Sequence, residues 1–469
     1  MSRGRYLAVN TALFALNSIG TKLVSFFLVP LYTVAFTTHE FGTVDLVTTL
    51  STILVPVLTL NIGEAVMRFS LDDESDHIAI VSIASLVMGA SVVVGLGIIP
   101  VTLMSDQLAG MGGLVYAYCI SQGAFQVASC YLRGREQLID YALINIFNSF
   151  ISAILNIILL IYIRAGISGY FVAFTISNAI CAILALIRGD YFDCFRHFHI
   201  SKSLSYSMIK YSIVLVPNSL MWWIMNSSDR IMVISMVGAA ANGVYAVSYK
   251  IPTILSALST VFNQAWSYSA IHEDSSEDRD EFSSQMFDRL FNAELVVTAG
   301  LLVVLRPFMS VYVSEAFFGA WVFTVPLLVG FFFMSLGTFM STSYTVNKDS
   351  RGFLFSGTAG AVANVALNLA LIPRFGTMGA AIATCVSYVI VFLYRVFDVR
   401  KYITIEVFTV RHVVGATILA AMSVLSVLAP DASLPLLLVG CVGIALLSLN
   451  TMKELLDIGL RVLRSVGSK

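Results

Sequence analysis

The sequence predicts an all-α polytopic membrane protein with about 14 transmembrane helices, arranged as two pseudo-symmetric six-helix lobes plus two extra C-terminal helices. The composition, the spacing of the apolar runs and the distribution of basic residues among the loops support this prediction. Of the 469 residues, 58% are hydrophobic and 12% are charged, whereas soluble domains carry about 25% charged residues. A soluble core cannot hide so much apolar side chain, so the bilayer is the expected solvent. Most cytosolic enzymes and secreted scaffolds are thereby excluded.

Apolar runs of transmembrane length recur along the whole chain. A hydrocarbon core about 30 Å thick needs about 20 apolar residues per helix. We predict spans at 7–36, 42–67, 78–104, 112–132, 141–163, 168–187, 211–236, 242–271, 287–314, 319–346, 353–373, 377–397, 411–429 and 433–450. With the N-terminus inside, the Lys and Arg residues of the loops fall on the inner side, except Arg164 and Arg374. Both termini are therefore expected in the cytoplasm.

A weak internal repeat indicates the two lobes. Asn156 is followed by Arg164-Ala-Gly-Ile-Ser-Gly169, and Asn368 by Arg374-Phe-Gly-Thr-Met-Gly379, each at the outer turn after the fifth span of its half. Six helices per repeat preserve orientation, so a pseudo-two-fold axis along the membrane normal should relate the lobes, with a cavity between them. The predicted domains are the N-terminal lobe 1–188, a cytoplasmic inter-lobe loop 189–205, the C-terminal lobe 206–400, the extra helix pair 401–450 and a cytoplasmic amphipathic tail 451–469.

Several features limit the chemistry of the chain. A net charge of −1 excludes a globally basic nucleic-acid binder, so any anion site must be local. The six cysteines have no CxxC spacing, and His197 and His199 have no partner at metal-ligand spacing, so we expect no metal and no cofactor. The sequence contains no P-loop motif, and the predicted external loops are too short for a catalytic domain. The chain is therefore not expected to be an enzyme.

Ionisable residues inside the predicted spans are the first candidates for function. A charge near the bilayer centre costs about 2.5–3.5 kcal/mol on insertion scales, so such residues usually face a bundle interior or a watery cavity. Asp45, Glu64 and Arg306 lie close enough to a span end to reach the interface, so a structural role is as reasonable as a functional one. The deeper ionisable residues are Lys22, Asp229, Arg230 and Lys250, and Glu294 lies one turn into the ninth span.

Polar residues at helical spacing accompany these charges. Stripes on the first, fifth, seventh and tenth spans indicate helix faces directed to a hydrated lumen. The alternative for any one stripe is hydrogen bonding between helices. The predicted cavity-lining residues are Ser18, Ser25, Asn145, Asn156, Asn218, Asn226, Thr338 and Thr342.

The sign of the deep charges predicts an anionic substrate. Lys22, Arg230 and Lys250 supply three positive charges, and Lys and Arg are the usual phosphate ligands. The alternative is that Asp229 pairs with Lys250 as a clamp between helices, which leaves less free charge. Glu294 is either a proton or sodium site or an ordinary interfacial carboxylate.

Several motifs in order resemble the Wzx-type polysaccharide and O-antigen flippases of the multidrug/oligosaccharidyl-lipid/polysaccharide (MOP) exporter superfamily. The matching segments extend from the first span to the twelfth. They are Leu23-Val-Ser-Phe-Phe-Leu-Val-Pro30, Phe41-Gly42, Gly63-Glu-Ala-Val-Met-Arg68, Ser228-Asp229-Arg230, Gly243-Val-Tyr245, Tyr249-Lys250, Phe262-Asn-Gln-Ala-Trp266 and Pro373–Thr384.

The resemblance implies a function. Two six-helix lobes would alternate between inward-open and outward-open states and move an undecaprenyl-diphosphate-linked oligosaccharide from the inner to the outer leaflet. Four of the candidate residues lie within the matching motifs: Arg68, Asp229, Arg230 and Lys250. Lys22 and Arg306 are added as diphosphate contacts on depth and charge alone, and Asp229 and Glu294 as coupling-ion sites.

The resemblance also implies a setting and leaves two alternatives. The expected location is the bacterial cytoplasmic (inner) membrane, and the expected partners are membrane lipid and the glycan polymerase or ligase machinery, without nucleic acid. A lipid II flippase of the same superfamily would also have fourteen helices. A cation-coupled drug exporter of the superfamily should have twelve helices and a more acidic lumen.

Overall fold

The computed structural model describes residues 20–72, 75–105, 107–272, 276, 278–454 and 457. Some helical positions are described by their backbone only: Phe192, Asp193, Phe195, Asn218, Met221, Trp222, Met225, Asn226, Leu258, Val261, Gln264, Ala265, Tyr268, Ile271 and His272. Over the described residues the ordered elements are all helices, and no strand occurs. The predicted all-α class is confirmed. Most of the predicted tail 451–469 lies outside the described residues.

The chain divides into two compact units, Met1–Ile234 and Ser235–Lys469. The first contains α1 (Gly20–Ala35), α2 (Thr38–Leu58), α3 (Ile62–Ser70), α4 (His77–Gly95), α5 (Ile98–Thr102), α6 (Gly112–Gly134), α7 (Leu138–Asn156), α8 (Gly166–Arg188), α9 (Tyr191–Arg196) and most of α10 (Lys202–Met236). The division predicted at 189–205 stays a prediction.

The second unit contains the remaining helices. They are α11 (Ala239–Ser248), α12 (Pro252–His272), α13 (Arg279–Tyr312), α14 (Ala320–Val346), α15 (Ser350–Phe375), α16 (Thr377–Asp398), α17 (Val410–Leu428) and α18 (Ser433–Leu447). Short turns of other helix types at Ile157–Tyr162, Glu315–Phe317 and Val399–Lys401 extend or join these helices.

Many helices are long and apolar enough to cross a membrane, as predicted. Among the described residues nine meet this requirement. They are Thr38–Leu58, His77–Thr102, Leu138–Tyr162, Gly166–Arg188, Arg279–Tyr312, Ala320–Val346, Ser350–Phe375, Thr377–Lys401 and Val410–Leu428. The chain is therefore a multi-pass membrane protein, and the total of about fourteen spans stays a prediction.

Two spans that were predicted as continuous, 42–67 and 242–271, are each broken into two helices. In the first unit α2 ends at Leu58 and α3 begins at Ile62, and Leu60 and Asn61 between them have φ angles of 49° and 54°. In the second unit the break lies between Ser248 and Pro252. Proline explains the second break, because Pro252 has no N–H to continue the helix. Discontinuous helices are typical of transporter binding sites.

The extra helices of the second unit are fastened to α13. At one end Arg306 Nη1 on α13 donates to Pro430 O and Asp431 Oδ1 in the turn before α18, both at 2.8 Å. At the other end, Ser448 Oγ donates to Asn292 Oδ1 at 3.0 Å. Polar contacts at both ends therefore hold α17 and α18 in register with α13.

His412 provides a third attachment and a testable prediction. Its buried ring places Nδ1 2.9 Å from Val407 O and Nε2 2.9 Å from Asp288 Oδ1, so it links the start of α17 to α13. We expect His412→Phe to lower the free energy of unfolding by about 2 kcal/mol, because the phenyl ring cannot replace the contacts of the imidazole nitrogens with Asp288 and Val407 O. Thermal unfolding in detergent measures the change. His199→Phe, at an exposed ring, is the control, and equal melting of the two variants would contradict the prediction.

Candidate functional site

Helices α2 and α10 pack against each other in the first unit through polar contacts. Arg230 Nη1 on α10 donates to Asp45 Oδ1 on α2 at 2.6 Å. One turn further along α2, Trp223 Nε1 donates to the carbonyl oxygen of Thr49 at 2.9 Å. Residue numbers rise along α2 as they fall along α10, so the two helices are antiparallel at this contact.

The Asp45–Arg230 pair is largely removed from solvent. The side chain of Asp45 is 7% exposed and that of Arg230 is 21% exposed. Arg230 was predicted to bind a diphosphate, and the structure places a carboxylate against its guanidinium. For Asp45, which lies near a span end, a structural role was as reasonable from the sequence as a functional one, and no partner was predicted. The four-residue spacing of Asp45 and Thr49, on one face of α2, was the available signal.

Asp229, predicted as a coupling-ion residue, is buried next to this pair. Its Oδ1 accepts a hydrogen bond from the backbone N–H of Arg230 at 2.9 Å. Adjacent residues on a helix point about 100° apart, so Asp229 and Arg230 face different neighbours.

The two predicted lysines lie on different units. Lys22 lies on α1 of the first unit and is half-buried. Lys250 lies in the break between α11 and α12 of the second unit, where it is half-buried and its backbone N–H donates to Val247 O at 3.0 Å. A lysine in a break is close to backbone groups that the interrupted helix leaves without helical partners.

Glu294 lies in the interior of the second unit, between α12, α13 and α14. Its side chain is buried, and Ser259 Oγ and Ser335 Oγ both donate to Oε1 at 2.5 Å. Oε2 is also buried, and among the described residues it has no hydrogen-bond partner. This burial argues against an ordinary interfacial carboxylate, and the proton or sodium site stays a prediction. Ser335 belonged to the polar stripe predicted on the tenth span.

Arg68 and Arg306 are paired with nearby carboxylates at helix ends. Arg68 Nη1 lies 2.6 Å from Asp72 Oδ1, one turn along the chain, and both side chains are 54% exposed. Asp72 raises the pKa of Arg68 through this hydrogen bond. Arg306 lies 2.8 Å from Asp431 Oδ1. Each of these two arginines therefore has a carboxylate partner of its own within its unit.

The predicted cavity-lining residues have different surroundings. Asn156 is fully buried and donates to Ser152 O, Asn145 donates to Tyr141 O, and Thr338 donates to Met334 O. These contacts run to the preceding turn of the same helix and not to a second helix, so they do not support the alternative of hydrogen bonding between helices. The lining of a hydrated lumen stays a prediction. Thr342 is buried, and its Oγ1 lies 3.4 Å from Ser267 Oγ. Ser25 is exposed. Ser18 and the side chains of Asn218 and Asn226 lie outside the described residues.

A second row of side chains on α10, which sequence reasoning missed, lines an open cavity in the first unit. We call it the α10 row: Tyr211, Leu215, Ser219, Trp223 and Ser227. The row is offset by one residue from the predicted stripe. Each four-residue step advances about 40° around an α-helix, so the row winds slowly around α10 while all five side chains border the same cavity. The mixture of aromatic and aliphatic residues concealed it, since only two of its members are small and polar.

Comparison with known families gives one match. The family described as "Polysaccharide biosynthesis protein" matches residues 7–268, which is more than half of the chain. No curated protein matches the sequence significantly. Among the described residues no group of three or more His, Cys, Asp or Glu side chains is placed to hold a metal ion.

Solved structures share the fold over most of the chain. The lipid II flippase MurJ in an inward closed conformation has a TM-score of 0.68 at 11% identity, and the match covers 96% of this chain and 100% of MurJ. An inward-facing multidrug resistance MATE family transporter of the MOP superfamily has a TM-score of 0.66 at 14% identity, covering 82% and 94%. A MOP superfamily transporter from Pyrococcus furiosus, described as having a binding pocket of reversed polarity, has a TM-score of 0.57 at 14% identity, covering 84% and 96%.

Proposed function

This chain belongs to the polysaccharide biosynthesis protein family, and from that premise we propose that it flips an undecaprenyl-diphosphate-linked oligosaccharide from the inner to the outer leaflet. The observation that carries the proposal is the family match over residues 7–268 in a chain with the MOP transporter fold. This family and fold are those of flippases and transporters rather than of enzymes. A lipid-linked glycan suits such a transporter, because the lipid can stay in the bilayer while the polar head group crosses it.

The deep basic side chains are suited to the diphosphate. Arg and Lys form charge-assisted hydrogen bonds with phosphate oxygens, and these bonds are stronger where water is excluded. We assign this role to Lys22, Arg230 and Lys250, with Arg68 and Arg306 as contacts at helix ends. Arg230 would exchange Asp45 for the diphosphate or hold it beside the pair. A MOP-type flippase then moves the headgroup by alternating access.

The direction of transport requires a coupled process. A substrate shifts an equilibrium between two states only by its differential affinity for them, so a gradient or consumption of the product must drive the cycle. We propose Glu294 and Asp229 as sites that take up a proton or sodium ion. Both carboxylates are buried, and burying an ionised carboxylate is costly unless a cation or proton compensates it.

The remaining parts of the proposal concern the setting. The chain would lie in the bacterial cytoplasmic membrane with both termini in the cytoplasm, and would pass its product to a glycan polymerase or ligase. The lipid tail would stay in the bilayer, along the extra helices α17 and α18. In this proposal the basic residues of the lumen bind the diphosphate, and other polar surfaces bind the sugars.

Leaflet translocation in proteoliposomes tests the proposal. We expect the parent chain to flip a labelled undecaprenyl-diphosphate oligosaccharide, and Lys22→Ala and Lys250→Ala each to slow flipping about 10- to 100-fold, since one charge-assisted hydrogen bond contributes about 1.5–3 kcal/mol. Lys202→Ala, at the exposed first residue of α10, is the matched control.

Each outcome of this assay distinguishes the alternatives. If the folded lysine variants flip lipid at the parent rate, the assignment of Lys22 and Lys250 to a diphosphate site is wrong. Flipping of lipid II alone would support a lipid II flippase, and extrusion of cationic drugs without flipping of either lipid would support a drug exporter.

A further inference from the structure

The cavity along the α10 row has no role in the diphosphate site. Its volume is about 620 Å³, within the range of about 300–1,000 Å³ that is usual for small-ligand pockets. It is an open cavity bordered by α2, α3 and α6 on one side and by α10 on the other, all within the first unit. Asn61, in the break between α2 and α3, reaches across it, with Nδ2 3.5 Å from Ser219 Oγ. We call this cavity the α10 groove.

The charge of the α10 groove argues against a phosphate ligand. Among the described residues that line it, Glu64 is the one with a formal charge, and that charge is negative. A diphosphate would be repelled by this carboxylate and would find no cation in the lining. The groove therefore suits a neutral or cationic group rather than the charged part of the substrate.

Two aromatic rings lie along the groove, separated by three helical turns. Tyr211 and Trp223 are twelve residues apart, which is about 18 Å along a helix. The indole is held in place because Trp223 Nε1 donates to Thr49 O at 2.9 Å, and the Tyr211 ring packs edge-on against Phe69 with centroids 6.0 Å apart. An aromatic ring offers a flat apolar face with low entropy cost on binding.

Amide, hydroxyl and carboxylate groups lie between and opposite these rings. They come from Asn61, Glu64, Gln126 and Ser219. A pyranose ring has one apolar face of C–H groups and a rim of hydroxyls, so it can stack on an aromatic face while its hydroxyls bond to amides and carboxylates. Rings spaced along a groove, with polar groups between them, suit a short chain of such sugars.

We propose that the α10 groove binds the sugar residues of the substrate, two or more at a time, while the diphosphate is held elsewhere. This inference rests on the proposed function and extends it to the part of the molecule that binds the glycan. The predicted topology places Asn61 and Glu64 in the cytoplasmic half of the membrane, the side from which a newly made lipid-linked glycan arrives.

A binding experiment tests the groove without requiring transport. Purified full-length protein in detergent is titrated with two tritiated neutral trisaccharides, chitotriose and maltotriose. We expect at least one to bind, Trp223→Ala and Gln126→Ala each to weaken its binding about tenfold, and tripolyphosphate not to displace it. Tyr162→Ala removes an exposed aromatic ring outside the groove and should bind as the parent does.

Three results would overturn the proposal. They are failure of both trisaccharides to bind to the parent, unchanged affinity in a folded Trp223→Ala variant, and displacement of the sugar by tripolyphosphate. Trp223→Phe keeps the flat ring but removes the bond to Thr49 O, and it should retain most of the affinity. If Trp223→Ala does not fold, Gln126→Ala decides the question, because unchanged affinity in that variant would also overturn the proposal.

A flipping experiment separates failure of the groove from failure of the proposed function. The two substrates are labelled undecaprenyl diphosphate and the same lipid with a neutral trisaccharide attached. We expect Gln126→Ala to slow only the glycan-bearing lipid, and Lys250→Ala to slow both. If the parent flips neither lipid, the proposed function is wrong. The binding experiment still shows whether the α10 groove binds sugars.

Discussion

Removing the Asp45 carboxylate should lower the free energy of unfolding by about 3 kcal/mol. The Asp45→Ala chain keeps the Arg230 guanidinium in a mostly buried position without the carboxylate now 2.6 Å away, and breaking a buried ion pair on one side costs about 3–5 kcal/mol. We expect a lower yield of folded protein and a lower apparent melting temperature in detergent. Since unfolding of such proteins is often irreversible, the half-life at a fixed temperature is measured as well.

The Arg68–Asp72 pair supplies the matched control. It has the same 2.6 Å separation, but both side chains are 54% exposed, and exposed pairs contribute little to stability. Asp72→Ala should therefore melt as the parent does. Equal destabilisation by Asp45→Ala and Asp72→Ala would show that burial is not the deciding factor and would contradict the prediction.

A charge exchange tests whether Arg230 also contacts substrate. The double variant Asp45→Arg/Arg230→Asp keeps one charge of each sign and should recover part of the stability lost in Asp45→Ala. If Arg230 is a diphosphate ligand, the folded double variant should still flip lipid at least about tenfold more slowly than the parent. Recovery of full flipping would assign Arg230 to the ion pair alone.

Replacing Glu294 by glutamine should abolish the dependence of transport on an ion gradient while preserving the fold. The amide oxygen of glutamine can accept hydrogen bonds from Ser259 and Ser335 as Oε1 does. An amide, however, neither binds a proton near neutral pH nor neutralises a cation. We expect an imposed proton or sodium gradient to accelerate flipping by the parent and to have no effect on Glu294→Gln. The measurement is the flipping rate in proteoliposomes with and without each gradient.

Two further variants complete this experiment. Glu315→Gln removes an exposed carboxylate in the turn between α13 and α14 and should leave the gradient dependence intact. Glu294→Asp keeps the charge but shortens the side chain, so the bonds to both serines weaken and the rate falls while some gradient dependence remains. A Glu294→Gln variant that still responds fully to both gradients would exclude Glu294 as the coupling residue.

Part of the site was predictable from residue type and depth. Lys22, Asp229, Arg230, Lys250 and Glu294 could be selected because an ionisable group inside an apolar run is costly and seldom retained without a use. Their partners could not be selected in the same way. Asp45 lies 185 residues from Arg230, and Ser259 and Ser335 are ordinary helix residues until they converge on one carboxylate oxygen.

The sequence by itself determined that the chain is a helical membrane protein, because apolar length and composition leave no other way to satisfy backbone hydrogen bonds in lipid. It also indicated the family, through motifs spread from the first span to the twelfth. Only the tertiary structure decided which face of α10 lines a cavity, where the spans at 42–67 and 242–271 break, and which cation faces a carboxylate. These features depend on contacts between helices far apart in sequence, and helical periodicity specifies a face without specifying its neighbour.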